Sequence, residues 1–248
     1  MRNILWIVMA ASTFTCFQAQ ADETKPDNEV SLNIGVASEY RYRGISQSRL
    51  NPALQGGADY THNPSGFYVG TWLSSIKWVK DAGGSGEVEW DIYGGKKGEI
   101  IKDVSYDVGV LSYVYPSNGL NKVPGFVDAN TTEIYAQLGY GQTYIKYSHS
   151  VTNLFGFVAS KNSCYLDIGS SFDIAEGYAL GLHIGHQRIS SNSSYGYTDW
   201  KVGVNKELFG VSLNLAAIGT NANDKLYVTP ANKFTGKTAL VLTAMKTF

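Results

Sequence analysis

The chain has 248 residues, and its 20 lysines and arginines nearly balance 21 aspartates and glutamates, giving a formal charge of −1 at pH 7. This length fits one domain rather than a mini-protein, and the balanced charge excludes the basic character expected of a nucleic-acid-binding protein. Its 17 tyrosines, 10 phenylalanines and 5 tryptophans favour a chain rich in β-strands.

The first 21 residues have the pattern of a secretory signal peptide. Arg2 supplies a positive charge, residues 4–17 are apolar, and residues 19–21 (AQA) form a small-x-small cleavage site. We therefore expect two parts, a signal peptide (1–21) and a mature domain (22–248). After cleavage Cys164 is the one remaining cysteine, so the fold is expected to hold without an internal disulfide.

The mature chain begins with an alternating segment, VSLNIGVASEYRYRG, over residues 30–44. Apolar and polar side chains alternate from Val30, which predicts a strand with two different faces. Tyr40 and Tyr42 continue the apolar face, whereas Glu39, Arg41 and Arg43 continue the polar one. Tyrosines at the end of an apolar face are typical of a lipid-facing strand that reaches the headgroups. The segment thus predicts a transmembrane strand with its charges in the lumen of a barrel.

Several segments resemble a known family. They are residues 36–46 (VASEYRYRGIS), 52–57 (PALQGG), 65–72 (SGFYVGTW), 93–95 (YGG) and 197–201 (YTDWK). The sequence is similar to the TorF family of outer-membrane porins over most of the mature chain, most densely before Gly95. The resemblance implies a β-barrel and suggests a pore. It implies no catalytic residue and no particular substrate.

Taken in order, the chain predicts twelve strands, which suggests an all-β fold: an antiparallel up-and-down transmembrane barrel. Their lengths suit tilted membrane-spanning strands, which need about 9–11 residues. The predicted ranges are 30–42, 53–61, 67–76, 87–94, 103–115, 132–140, 143–150, 164–172, 178–187, 197–205, 211–219 and 238–248.

The connections between these strands are alternately long and mostly short. Bacterial barrels have long extracellular loops and short periplasmic turns, which this order matches if both termini are periplasmic. The long connections are residues 43–52, 77–86, 116–131, 151–163, 188–196 and 220–237, and the others are 62–66, 95–102, 141–142, 173–177 and 206–210.

Charged residues fall on the predicted lumenal faces of most strands. They form either a charged constriction that filters solutes or an ion-pair network that fills a narrow barrel. The candidates are Glu39, Arg41, Arg43, Asp59, Glu87, Glu89, Asp91, Asp107, Glu133, Lys146, Asp199 and Lys201. With Asp167 added, nine acids face four bases, and this surplus predicts a weak preference for cations.

The last predicted strand ends in Phe248. A terminal aromatic residue on an alternating strand is expected to be recognised by the barrel-assembly machinery. Lys246 shares the parity of the apolar residues, and its side chain is expected to reach the headgroups from its place near the end.

Neither a catalytic site nor a metal site is expected. His183 and His186 are three apart on a strand and should point to opposite faces, so that one metal ion cannot easily bind both. Ser148 and His149 are adjacent and should also diverge, which argues against a barrel hydrolase. Some aromatic residues of the strands are expected to line the lumen, where a track for stacking sugars is an alternative use: Tyr68, Trp72, Tyr113, Tyr135 and Tyr144.

The sequence therefore predicts a narrow channel in the outer membrane of a Gram-negative bacterium. Small polar solutes or ions would pass through it without any cofactor. Lipid and the assembly machinery are its other expected partners. The alternative is a structural or adhesive barrel that acts through its extracellular loops and does not conduct.

Overall fold

The computed structural model describes residues 26–248 and shows an almost entirely β chain. The predicted signal peptide, residues 1–21, lies outside the described residues. The strands are β1 (Asn28–Ala37), β2 (Arg41–Tyr42), β3 (Ile45–Ser46), β4 (Ala53–His62), β5 (Phe67–Ser75), β6 (Val88–Ile101), β7 (Val104–Val114), β8 (Thr131–Tyr140), β9 (Thr143–Ser150), β10 (Cys164–Ala175), β11 (Tyr178–Arg188), β12 (Tyr197–Leu208), β13 (Val211–Thr220) and β14 (Ala239–Thr247).

Three short helical segments lie between these strands. They are α1 (Trp78–Asp81) and two 3₁₀ turns, Leu120–Lys122 and Ser193–Tyr195. Among residues 26–248, no helix has the length and apolar character needed to cross a bilayer.

Twelve of the strands form a closed antiparallel barrel, which confirms the predicted fold. Strands β4 to β14 each pair with their neighbours in sequence, and β1 closes the barrel between β4 and β14. Val36 is opposite Leu54 on one side and Ala244 on the other. Closure pairs the backbone of both would-be edge strands, so the sheet offers no open edge to another chain.

The connections differ at the two ends of the barrel. At one end, the short-turn end, residues 102–103, 141–142, 176–177 and 209–210 each link two strands directly. Phe209 and Gly210 both have positive φ angles, 53° and 70°, as a two-residue type I′ hairpin requires. At the opposite, long-loop end the connections are residues 38–52, 76–87, 115–130, 151–163, 189–196 and 221–238.

The barrel is polar inside and apolar outside, the reverse of a soluble protein. On the outer face Val36 is 54% exposed and Ile134 is 50% exposed, whereas Glu89 and Glu133 in the lumen are each 1% exposed. Soluble monomers rarely carry an apolar surface that runs continuously around the molecule. This outer face is suited to lipid, and alternation along each strand follows from having lipid on one side and the polar lumen on the other.

The structure corrects the prediction for the first strand, because β1 ends at Ala37 and not at residue 42. Tyr40 and Tyr42 were expected to face lipid, but both rings pack inside the barrel. The Ser38 N–H still donates to Leu242 O on β14, and the chain then turns inward.

A second correction concerns β6, which continues to Ile101 rather than stopping near residue 94. The glycine-rich segment 94–98 breaks the apolar alternation, yet its backbone pairs fully with β7, as in Gly95 opposite Gly109. A bulge between Glu99 and Ile101 then leads into the two-residue turn.

Val108 provides a test of the assignment of faces, since it lies near the middle of β7 and its side chain points outward. In lipid, Val108→Arg should lower the free energy of unfolding by about 2–4 kcal/mol, the cost of an arginine facing the bilayer centre. The matched change Gln137→Arg, beside Asp107 in the lumen, should cost clearly less. Denaturant unfolding in vesicles measures both, and equal losses would contradict the assigned faces.

Candidate functional site

Residues 38–52, hereafter the plug, fold into the long-loop end of the barrel. Within the plug, β2 and β3 form a tiny hairpin that pairs Arg41 with Ser46. Its turn is Arg43-Gly44, with φ angles of 46° and 79°, again the geometry of a type I′ turn. A Cβ at Gly44 would lie 2.4 Å from Thr220 Cγ2, so the hairpin tip has room only for glycine.

The side chain of Arg43 extends from the plug across the lumen and binds the opposite wall. Its guanidinium donates two hydrogen bonds to Glu133 on β8, at 3.2 and 2.7 Å, and one to Gln187 Oε1 on β11, at 2.5 Å. Arg43 Cζ also lies 4.1 Å from the centroid of the Tyr165 ring, a cation–π contact. Because Arg43 and Glu133 are both buried, each charge depends on the other for compensation.

Arg41 holds the plug on its other side. Arg41 Nε and Nη2 donate to the two carboxylate oxygens of Glu39 at 2.9 and 3.2 Å. Its Nη1 donates to the carbonyl oxygens of Gly44, at 3.1 Å, and Lys237, at 2.7 Å. Arg41 therefore connects the plug with the long connection 221–238.

The two tyrosines of the plug bind the wall formed by β6 and β7. Tyr40 Oη donates to Glu89 at 2.5 Å, and Tyr115 Oη donates to the same carboxylate at 2.9 Å. The hydroxyls of Tyr42 and Tyr113 share a hydrogen bond of 2.6 Å. Glu89 is thus solvated by phenols rather than by a cation.

Other long connections cover the plug with aromatic rings. Phe155 packs edge-to-face on Tyr42 and Tyr113, with ring centroids 5.5 and 5.2 Å apart. Trp78 packs in the same way on Tyr115, at 5.0 Å. This side of the barrel mouth is thereby covered by three connections, residues 76–87, 115–130 and 151–163.

Farther inside, carboxylates of the lumen are paired with tyrosines and a histidine. Tyr165 Oη donates to Asp199 at 2.8 Å. His183 lies between two carboxylates, with Nε2 2.8 Å from Asp199 and Nδ1 2.9 Å from Asp167. On the other side of the lumen, Tyr68 Oη donates to Asp107 at 2.6 Å.

The structure places eleven of the twelve candidate charges inside the barrel. Those on the walls are buried or half-buried, and the three from the plug are buried in the mouth. They are Glu39, Arg41, Arg43, Asp59, Glu89, Asp91, Asp107, Glu133, Lys146, Asp199 and Lys201. The first three reach the lumen from the inward loop and not, as expected, from the face of a strand.

Glu87 is the exception, and its predicted lumenal position is corrected here. Because β6 begins at Val88, Glu87 belongs to the preceding connection and its side chain is exposed. There it forms ion pairs with Lys77 and Lys80, and the hydrogen bonds from these ammonium groups lower the pKa of the Glu87 carboxyl to about 2.

Sequence reasoning missed the lumenal position of Lys97. It lies in β6 on the face of Asp91, with its ammonium 5.2 Å from the centroid of the Tyr68 ring. Extending the alternation of β6 through its glycines would have found it. Removing Glu87 from the predicted set and adding Lys97 leaves eight acids against five bases in that set, so its surplus of acids is smaller than predicted: Glu39, Asp59, Glu89, Asp91, Asp107, Glu133, Asp167 and Asp199 against Arg41, Arg43, Lys97, Lys146 and Lys201.

The histidine pair points in opposite directions, as its spacing predicts. His183 faces the lumen, whereas His186 faces outward and lies 2.9 Å from Thr198 Oγ1. Ser148 is buried, and its neighbour His149 instead contacts Tyr147 and Asn162 on the outer side. Within residues 26–248, no group of three His, Cys, Asp or Glu side chains is arranged to hold a metal ion.

With this geometry established, comparisons with known proteins place the chain in a family. A model of the Gcw_chp family, described as a bacterial protein of unknown function, matches residues 20–248. The chain belongs to the Gcw_chp family. A search of curated proteins found no significant match.

Among solved structures, two porins have the same fold as this member of the Gcw_chp family. The KdgM porin superposes with a TM-score of 0.55 and 7% sequence identity, covering 88% of this chain and 99% of its own. The NanC porin gives 0.54 and 9%, with coverage of 88% and 98%. At such low identity the likeness establishes a common barrel architecture.

The Arg43–Glu133 pair predicts how the plug responds to substitution. Arg43→Gln should lower the free energy of unfolding by about 3–5 kcal/mol, because it leaves the buried Glu133 carboxylate without its cation. The double variant with Glu133→Gln should recover part of this loss. Denaturant unfolding measures the stability, and chymotrypsin cleavage at Tyr40 or Tyr42 reports release of the plug. Unchanged stability together with an uncleaved plug would contradict the role of Arg43.

Proposed function

We propose that this chain is an outer-membrane channel through which small polar solutes or ions diffuse passively. The observation that carries the proposal is a closed barrel with an apolar outer face and a lumen lined by charged and hydroxyl-bearing side chains. The resemblance to the TorF family and the shared fold of the KdgM and NanC porins support the same function. No catalytic step is part of this proposal.

The proposed pore is narrow for two physical reasons. Barrels of eight strands are filled by side chains, whereas those of sixteen leave an aqueous channel, so twelve strands give an intermediate lumen. Here tyrosine and tryptophan side chains occupy much of that width, and the plug occupies the mouth. Tyr68, Trp72, Tyr93, Tyr113 and Tyr135 are all at least nine-tenths buried inside the barrel. Only small solutes fit such a lumen.

The charges of the lumen favour cations. Arg41 and Arg43, the strongest bases, are each engaged by a carboxylate, Glu39 and Glu133 respectively. Among the remaining acids, Asp91 is 1% exposed, and its Oδ1 has no hydrogen-bond partner in the described part of the chain. A surplus of carboxylates in a narrow lumen attracts cations and repels anions.

The proposed location is the outer membrane of a Gram-negative bacterium, reached by secretion and barrel assembly. The apolar segment 4–17 would direct secretion and then be removed with residues 1–21. Phe248 is exposed after β14, where its backbone exchanges hydrogen bonds with Leu32 at 2.8 and 3.2 Å. This terminal aromatic residue is the proposed contact with the assembly machinery.

A second candidate is a structural or adhesive barrel that does not conduct. The observation in its favour is the filled mouth, where Arg43 binds Glu133, Arg41 binds Lys237 O, and Phe155 and Trp78 cover the plug. In that case the long connections would provide the function. Conductance distinguishes this candidate from the first.

Zero-current potentials across a planar bilayer test the proposed channel. Under a potassium chloride gradient, the refolded protein should conduct and show a weak preference for potassium, which should fade as salt screens the lumen. A clear preference for chloride would mean that Arg41 or Arg43 controls the pore despite its carboxylate partner. The absence of conductance would favour the second candidate.

A further inference from the structure

The plug does not seal the barrel equally on all sides. A small cavity of about 30 Å³ lies between it and the wall formed by β12, β13, β14, β1 and β4. Glu39, Tyr40 and Arg41 border this cavity from the plug. From the wall, it is bordered by Gln55, Lys201, Asn214 and Thr243.

The opposite side of the plug is closely packed. Tyr40 packs edge-to-face on Trp72, with ring centroids 5.4 Å apart, and Tyr42 packs similarly on Tyr113. Leu111 belongs to the same buried cluster. The hydrogen bond from Tyr40 Oη to Glu89 further fixes this contact.

The difference follows from side-chain size on the two walls. Strands β5 to β8 carry large aromatic residues on their lumenal faces, whereas the wall beside the cavity carries fewer rings and several small residues among its polar ones. Gly203 and Ala216 are paired on neighbouring strands β12 and β13, and Ala37 lies at the end of β1. Small residues on one wall leave space that a plug pinned to the opposite wall does not fill.

Polar groups continue along the wall of small residues toward the short-turn end. Asn214 Nδ2 donates to Asn205 Oδ1 at 2.8 Å. Asn33 Oδ1 and Asn205 Nδ2 are buried, and neither has a hydrogen-bond partner among the residues described. Buried polar atoms are usually paired, so these amides are suited to bonding with water or a polar solute.

We propose that solutes pass the plug on this side, between the Glu39–Arg41 pair and the wall that carries Gln55, Lys201 and Thr243. The proposal rests on the proposed channel function and gives the channel a route. It makes Glu39, Arg41 and Lys201 the charged groups nearest to a passing solute. Two bases and one acid at this point oppose the general surplus of carboxylates, so this route predicts a weak preference for cations.

Single cysteines test the route, in a mature chain whose native thiol is removed by Cys164→Ser. Thr243→Cys places a thiol on the cavity, and Leu111→Cys is the matched control on the packed side. The probe is a small, positively charged methanethiosulfonate reagent added to protein folded in lipid. Labelling is measured by mass spectrometry, and conductance is measured before and after the reaction.

Thr243→Cys should be labelled and lose conductance on labelling, whereas Leu111→Cys should be protected and keep its conductance. Equal labelling of both positions, or preferential labelling of Leu111→Cys, would overturn the route. Labelling of Thr243→Cys that left conductance unchanged would also overturn it. Selective labelling in a protein that never conducts would support access to this side of the plug while contradicting the proposed channel function.

Discussion

The buried ion pair between Arg43 and Glu133 is the interaction on which the arrangement of the barrel mouth depends. A guanidinium or a carboxylate without a partner is costly when it is withdrawn from water, and these two satisfy each other across the lumen. The bidentate geometry also fixes direction, because a planar guanidinium matches a carboxylate in few orientations. The hairpin tip at Gly44 must then lie against Thr220, where a larger residue does not fit. This pairing thus helps to fix where the plug lies.

The barrel makes this pairing possible because it provides a polar interior enclosed by lipid. Every second residue of a strand faces the lumen, so twelve strands bring many polar groups together in a small volume. Tyrosine hydroxyls satisfy much of that polarity at Glu89, Asp107 and Asp199. A phenol can solvate a carboxylate without cancelling its charge. These three carboxylates are therefore each hydrogen-bonded inside the lumen.

Most of the fold could be predicted from the sequence, because lipid and lumen impose opposite requirements on alternate residues. In β12, Trp200 lies between Asp199 and Lys201, and the structure separates them to opposite faces as the pattern indicates. The same reasoning failed at the glycines of β6, because a residue without a side chain does not indicate which face of the strand it lies on. The lumenal position of Lys97 was lost for that reason.

The plug could not be predicted, because its sequence continues the alternation of β1. Residues Glu39 to Arg43 alternate as a lipid-facing strand would. Inside the lumen, however, both faces of the hairpin contact protein, and these contacts suit tyrosine as well as arginine. The chain turns inward because its binding partners lie in the lumen. One of them, Glu133, is 90 positions away from Arg43 in sequence. No local pattern reports a contact of that range. The structure of the barrel mouth therefore depends on contacts between residues far apart in sequence, whereas the walls follow from the local alternation of side chains.

Removing the plug is the most direct test of this account. Residues 38–52 can be replaced by an Asn-Gly turn that joins β1 to β4, with Glu133→Gln included so that no buried carboxylate loses its partner. A matched protein carrying only Glu133→Gln controls for that change. The single-channel conductance of the shortened barrel in a planar bilayer should rise well above that of the control, because the mouth would then be limited by the walls alone. An unchanged conductance in a barrel that still folds would contradict the claim that the plug limits passage.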